Sequence, residues 1–188
     1  MTVEQLASRV LDACEQEDIE HMLTGAFAHG IYGIPRSTKD VDVVLSLTGE
    51  EPIQRVIQRL SGIVEFAPQV EFDTLTWGKR LVGESLNNPP LKVELFELFD
   101  DPFVQAQFQR KRKLFSGQLQ RITWLPTPED VIVQKLRWGR NKDLDDARDV
   151  LAVQGPETLD MAYIEHWCRT HETLGRMQTA LEGIPQLE

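Results

Sequence analysis

The chain is poor in cysteine, in long apolar runs and in positive charge, and each shortage narrows its function. Its two cysteines, Cys14 and Cys168, are far apart and belong to no Cys-x-x-Cys or Cys/His pattern, so neither a disulfide framework nor a zinc site is expected. His21, His29, His166 and His171 share no metal-ligand spacing either. No apolar run reaches the roughly 18 residues that a membrane helix needs, and no charged-then-apolar leader is visible, so the expectation is a cytoplasmic protein without a membrane partner. Lys and Arg number 20 against 30 Asp and Glu, and the resulting net charge of −10 argues against indiscriminate binding to polyanions.

What remains is a soluble α/β pattern. With 188 residues the chain is long enough for one compact unit of two lobes, a core over 1–100 and a mainly helical lobe over 101–188, with the break near Asp100-Asp101-Pro102. Residues 2–17 carry Val3, Leu6, Val10 and Ala13 at helical spacing, and strands are expected at Ile19–Leu23 and from Lys39 to Leu45. A helix over Pro52–Leu60 precedes extended segments at Ile63–Phe66, Val70–Trp77, Arg80–Ser85 and Leu91–Leu98. Helices then follow at Pro102–Leu114, Pro128–Trp138, Leu144–Val153, Met161–Thr170 and Thr173–Leu181, with a strand near Leu119–Leu125.

The strand Lys39-Asp40-Val41-Asp42-Val43-Val44-Leu45 carries the chemistry. Residues i and i+2 of a strand share a face, so Asp40 and Asp42 project together while Val41, Val43 and Leu45 enter a core. Adjacent carboxylates repel, and they need a cation, a basic neighbour or full hydration. Magnesium favours one or two protein carboxylates plus substrate phosphate oxygens, so the pair reads either as a phosphoryl-transfer metal site or as a solvated strand face. A third acid would come from Leu91-Lys92-Val93-Glu94-Leu95-Phe96-Glu97. Leu91, Val93 and Leu95 share one face with Glu97, which leaves Glu94 free on the other. Gly25, between a strand and a short helix, would let backbone approach a phosphate at the helix N-terminus.

The order Thr24-Gly25-Ala26, then Gly33-Ile34-Pro35-Arg36-Ser37-Thr38-Lys39-Asp40-Val41-Asp42, resembles the signature of the DNA polymerase beta-like nucleotidyltransferase superfamily. Its Arg-x-Thr-x-Asp-x-Asp form is similar to the minimal bacterial nucleotidyltransferases related to abortive-infection toxins. Downstream, Pro128 to Leu136 and Gly139-Arg140-Asn141-Lys142-Asp143-Leu144-Asp145-Asp146 resemble that group's helical lysine and Asp-x-x-Asp motif. The resemblance implies a mixed β-sheet flanked by helices, the nucleotidyltransferase fold, with a helical C-terminal lobe. It further implies that Asp40, Asp42 and Glu94 hold two magnesium ions. Gly25, Ala26, Arg36 and Thr38 would lie by the phosphates of a nucleoside triphosphate such as ATP. Lys135, Arg140, Asp143 and Asp146 would approach from the second lobe, with Lys135 or Arg140 neutralising leaving-group charge. Two departures stand out: Ala26 replaces a serine or glycine, leaving only backbone donors, and Glu94 stands where the group often has Asp.

The implied activity moves a nucleoside monophosphate to a hydroxyl, expelling pyrophosphate. The acceptor expected first is an RNA end or a protein hydroxyl, in a toxin-antitoxin or phage-defence setting with an antitoxin partner; a small aminoglycoside-like molecule is an alternative acceptor. A non-catalytic nucleotide- or partner-binding module on the same fold is the alternative. Arg110 to Lys142 carries nine basic residues against Glu129 and Asp130, a local balance of +7, so an RNA acceptor would dock there unless these are solvated helix faces. Trp77, Trp124, Trp138 and Trp167 read as core or lobe-interface residues, with Trp138 the candidate for stacking on a base.

Overall fold

The computed structural model describes residues 1–49, 51–73, 78–87 and 90–185. Helix α1 (Val3–Gln16) starts at a capping box in which Thr2 accepts from the Gln5 amide while the Gln5 side chain accepts from Thr2. It buries Leu6, Ala7, Val10, Leu11 and Cys14 on one face, the face that the heptad-like spacing of apolar residues marks out. β1 (Glu20–Leu23) leads through Thr24 into α2 (Gly25–Tyr32), and a Gly-Pro loop returns the chain to β2 (Asp40–Ser46). Then come α3 (Glu51–Leu60), β3 (Val64–Phe66), β4 (Glu71–Phe72), β5 (Lys79–Ser85) and β6 (Lys92–Glu97).

These strands form a mixed sheet in the order β1-β2-β6-β5-β3, with β4 on β5. Only β2 and β6 run parallel; every other described pair is antiparallel. Strand β2 is an interior strand, between β1 and β6, with its alternation intact. Val41, Val43 and Leu45 are wholly buried in the main apolar cluster, together with Val93 and Leu95 of β6. On the opposite face Val44 joins Met22 and Phe108 in a smaller cluster, against which Phe96 and Leu98 pack.

After β6 come α4 (Pro102–Arg110), β7 (Arg112–Ser116), β8 (Arg121–Leu125), α5 (Pro128–Trp138), α6 (Asn141–Gln154), α7 (Met161–Thr170) and α8 (Leu174–Glu182). The expected helix over Pro102–Leu114 is corrected here. It ends at Arg110, and Arg112–Ser116 pairs with Arg121–Leu125 as a hairpin that abuts β1. Tertiary pairing overrides the helical propensity of the Arg110–Lys113 run. The expected strand over Val70–Trp77 is realised only at Glu71–Phe72, and Thr74 to Trp77 lie outside the described residues.

Helix α5 is closed at both ends by its own sequence. Thr127 and Asp130 form a capping box, Pro128 takes the first turn, and Gly139 ends the helix with φ +66°. Asp130 is fully buried yet satisfied by the hydroxyls of Thr127 at 2.8 Å and Tyr163 at 2.6 Å. Ile132, Leu136, Val150 and Leu151 enter the same cluster as Leu6, Val43 and Leu95, so residues on both sides of Asp100 share one apolar interior. Both cysteines are free and buried. No helix among the described residues is long and apolar enough to cross a membrane.

Candidate active site

Parallel pairing of β2 with β6 puts Asp40 opposite Lys92 and Asp42 opposite Glu94. Residues in register on neighbouring strands share a face, so Asp40, Asp42 and Glu94 rise from the same side of the sheet. They line one cleft together with Gly25, Ala26, Arg36, Thr38, Lys135 and Arg140. Asp143 and Asp146 do not line it; they are buried behind Lys135. Glu97, the other acid considered on β6, turns to Lys79 at 3.1 Å on the opposite face.

Gly25 brings the N-terminus of α2 against these carboxylates. Its φ is +62°, and a Cβ placed on it would fall 1.9 Å from Asp42 Oδ2, so both conformation and space require glycine. Thr24 anchors the turn by donating its amide to the Asp42 carbonyl at 2.9 Å. The first amides of α2 have no acceptor within the helix and carry the positive end of its dipole, which suits an anion at Gly25 and Ala26. Thr38 is occupied locally, its hydroxyl oxygen accepting from the Asp40 amide at 3.1 Å.

Asp42 lies deepest. Burial, then the charges of Glu94 and Asp40, push its carboxyl up to about 7. An oxygen-donor pair under that repulsion fits a hard divalent cation. Glu94, however, is already engaged: Arg80 Nη1 donates to one oxygen at 2.7 Å and Lys92 Nζ approaches the other at 2.6 Å. Accordingly, among the described residues no three acidic or imidazole groups form a preformed metal cage. Asp40 and Asp42 fit a cation as they stand, and Glu94 fits once it leaves Arg80 and Lys92.

On the other wall, Lys135 Nζ donates to Asp146 at 2.7 Å and to Asp143 at 3.4 Å, with all three residues buried. Arg36 closes a two-pronged hydrogen bond on Asp146 at 2.8 and 2.9 Å, tying the loop before β2 to α6. Burial opposes ionisation of Asp146, but hydrogen bonds from Arg36 and Lys135 outweigh it and hold the carboxyl at about 2. His29 Nε2 stands 3.8 Å from the same carboxylate, and burial keeps its pKa low, so it is neutral near pH 7. Arg140 pairs with Asp143 and lies 5.2 Å from the centre of the Trp138 ring, and Lys135 Nζ lies 5.4 Å from the same ring.

Many cations of the expected basic docking surface already have acidic partners. Of the nine basic residues from Arg110 to Lys142, six are in ion pairs: Arg110 with Glu129 and Asp130, Lys111 with Glu20, Arg121 with Asp12 and Glu15, Lys135 with Asp143 and Asp146, Arg137 with Asp101, and Arg140 with Asp143. The excess of +7 in sequence is therefore largely neutralised by acids from elsewhere in the fold. Trp124 lies under Lys111 and Lys113, and Trp167 packs edge-on against Phe103, while Trp77 falls outside the described residues.

Sequence reasoning missed Arg80, Lys92 and Phe96 as cleft residues. Lys92 and Phe96 share the parity of Glu94 and could have been found from it. Arg80 reaches Glu94 only because β5 pairs with β6 in one register, which no local signal displays.

No protein-family description and no curated relative matches this chain. Solved structures do. It is similar to the crystal structure of ANT(2'')-Ia in complex with adenylyl-2''-tobramycin, with a TM-score of 0.62 at 13% identity over 92% of this chain and 98% of that one. The solution structure of the antibiotic-resistance factor ANT(2'')-Ia matches with a TM-score of 0.60 at 14% identity, covering 95% and 94%. An antigenic nucleotidyltransferase-like protein from Paracoccidioides brasiliensis matches with a TM-score of 0.53 at 17% identity, covering 98% and 94%. The chain thus has the nucleotidyltransferase fold, a mixed sheet flanked by helices.

Proposed function

We propose that this protein is a magnesium-dependent nucleotidyltransferase that moves a nucleoside monophosphate from a nucleoside triphosphate such as ATP to a hydroxyl acceptor. The observation that carries the reading is the convergence of Asp40, Asp42 and Glu94 on one sheet face, directly beside the glycine-led N-terminus of α2. In this reading Asp40 and Asp42 hold two magnesium ions with Glu94, and bound magnesium supplies charge neutralisation on the triphosphate and acidifies the acceptor hydroxyl. The amides of Gly25 and Ala26 hold the terminal phosphates. Lys135 and Arg140 face the leaving pyrophosphate, and Asp143 and Asp146 act from behind by orienting Lys135, Arg140 and Arg36. Thr38 fixes the entry to β2 rather than touching phosphate.

A small polyhydroxylated acceptor is favoured over RNA. ANT(2'')-Ia was solved with an adenylylated aminoglycoside, and the segment expected to receive RNA is internally neutralised. An RNA or protein acceptor belongs with the toxin reading and its antitoxin partner, which rests on the abortive-infection resemblance in the Arg36 to Asp42 motif. A non-catalytic binding module is the second reading, and the closure of Glu94 by Arg80 and Lys92 is the observation in its favour.

One screen separates them. The protein is incubated with each α-labelled triphosphate, magnesium, and in turn an aminoglycoside mixture, total RNA and a cell extract. Label on the small-molecule fraction supports the favoured acceptor, and label on RNA or protein supports the toxin reading. Triphosphate binding without pyrophosphate release under every acceptor supports the binding module and overturns transfer.

A further inference from the structure

The β7-β8 hairpin turns one face into the protein and leaves the other uncovered. Register pairs Lys113 with Trp124 and Phe115 with Ile122, so these four side chains share a face. The opposite face carries Ser116, Thr123 and Leu125, all buried, and Arg121, which pairs with Asp12 and Glu15 of α1. On the uncovered face Phe115 is 59% exposed and Ile122 is 62% exposed, directly across from each other. A lone exposed apolar residue is ordinary, whereas a cross-strand pair makes a patch. Trp124 adjoins it, half-buried, with the ammonium groups of Lys111 and Lys113 at 5.3 and 5.0 Å from the centre of its ring.

Two further observations bear on what covers this patch. First, β7 is an edge strand: it pairs with β8 alone, and among the described residues no other backbone hydrogen bond reaches Arg112–Ser116. Every second amide and carbonyl of such a strand points outward, where another strand can pair with it. Second, the patch is bordered by positive charge. Arg112 and Lys113 are exposed and have no acidic partner among the described residues, and the neighbouring Glu20 is taken by Lys111. A second copy added through the same edge would bring both pairs of cations onto one ladder with no acid between them, which opposes self-pairing. A nucleic-acid strand would meet a net charge of −10 and would find no ring to stack on at Ile122.

We propose that the outer edge of β7 receives an extended segment of a partner protein, apolar at one end and acidic at the other. The added strand continues the β7-β8 ladder, so backbone hydrogen bonds give affinity and side chains give choice. Its apolar residues lie beside Leu114 and Phe115, with Ile122 extending the same surface, and its acids lie beside Arg112 and Lys113. The cations that oppose a second copy of this chain thereby select an acidic partner. None of these residues lines the acidic cleft, and the proposal stands whether or not the protein transfers nucleotides. A single added strand buries less than the roughly 1,200 Å² of a standard interface, so the contact alone is of the transient class.

The test is fluorescence anisotropy of the full chain with a labelled peptide Glu-Glu-Val-Tyr-Val-Glu-Glu, which reads the same in either strand direction, and with Lys-Lys-Val-Tyr-Val-Lys-Lys. The acidic peptide should bind about tenfold or more tightly than the lysine peptide, and added salt should weaken it. Lys113→Glu should lower its affinity by about tenfold, and Phe115→Ser combined with Ile122→Ser should remove measurable binding. All three positions are exposed, so the melting temperatures should stay close to that of the parent. Methylating the backbone amides of the acidic peptide should abolish binding, since the ladder then lacks donors. Equal binding of the two peptides, full binding of the methylated one, or unchanged affinity in Lys113→Glu overturns the proposal. So does a chain that sediments as a dimer and becomes monomeric with Phe115→Ser, which assigns the face to a second copy. A labelled oligouridine that binds the parent and not Lys113→Glu also overturns it, by assigning the face to nucleic acid.

Discussion

A methyl group on Gly25 would land 1.9 Å from Oδ2 of Asp42, so the glycine turn and this carboxylate are fitted to each other without a spare atom between them. Gly25→Ala should therefore act twice. It forces an alanine to φ +62° and drives its methyl into Asp42. We expect a loss of about 1–3 kcal/mol in stability from the backbone alone, together with loss of magnesium-dependent triphosphate binding. Urea unfolding and calorimetry read the two effects. A variant that binds as well as the parent would show that the turn does not meet the phosphate.

The high affinity of Asp42 for a proton links the fold to pH. Its folded pKa of about 7 lies above the unfolded value, so the folded state holds the extra proton in between. Stability from this group is then fully present below about pH 4 and is lost as pH rises towards 7. In chelator the melting temperature should decline from pH 5 to pH 8, and Asp42→Asn should flatten that decline. Divalent affinity should rise over the same interval, since metal and proton compete for one carboxylate. A melting profile that Asp42→Asn leaves unchanged would contradict the assignment.

Asp146 behaves in the opposite sense. Held at about 2 by Arg36 and Lys135, it stabilises the fold above about pH 4, and this contribution fades as pH falls towards 2. Asp146→Asn should cost roughly 3 kcal/mol or more, since it leaves a buried lysine and a forked arginine with too little negative charge. Arg36→Lys keeps the charge and loses the fork, and should cost less. Denaturant titrations at pH 7 and pH 3 check both, and the gap between parent and Asp146→Asn should narrow at the lower pH.

In the transferase reading, Arg80 and a divalent ion would compete for Glu94. Arg80→Met should tighten manganese binding in the absence of nucleotide by several-fold, whereas Glu94→Gln should weaken it and abolish transfer. Paramagnetic titration with manganese measures the first, and the labelled-triphosphate screen the second. If Arg80→Met weakens manganese binding, the arginine supports the site rather than guarding it.

Much of the arrangement was legible because it follows from short-range periodicity. The alternation in Asp40 to Leu45 and in Leu91 to Glu97 identified both buried faces, and the parity of Glu94 placed it beside Asp42 without knowledge of the pairing. The Thr127-Pro128-Glu129-Asp130 entry marked where α5 begins. What escaped depends on distant partners. Arg112 to Ser116 becomes a strand only because Arg121 to Leu125 lies beside it, although the Ser116-Gly117 turn between two short alternating runs was a usable hint. The neutralisation of Arg121 by Asp12 and Glu15, more than a hundred residues away in sequence, could not be read from a local charge count.

The two cations on Glu94 also decide what kind of event metal capture is. Arg80 and Lys92 already supply compensating charge to Glu94, so in the transferase reading an arriving ion would enter by exchange rather than by addition. Stray divalent ions gain little from such a swap. An ion delivered together with a polyphosphate gains more, because the displaced guanidinium and ammonium groups acquire a new anion to face. In the transferase reading the idle protein would thereby be kept electrically quiet, and the nucleotide would carry the key to its own metal site.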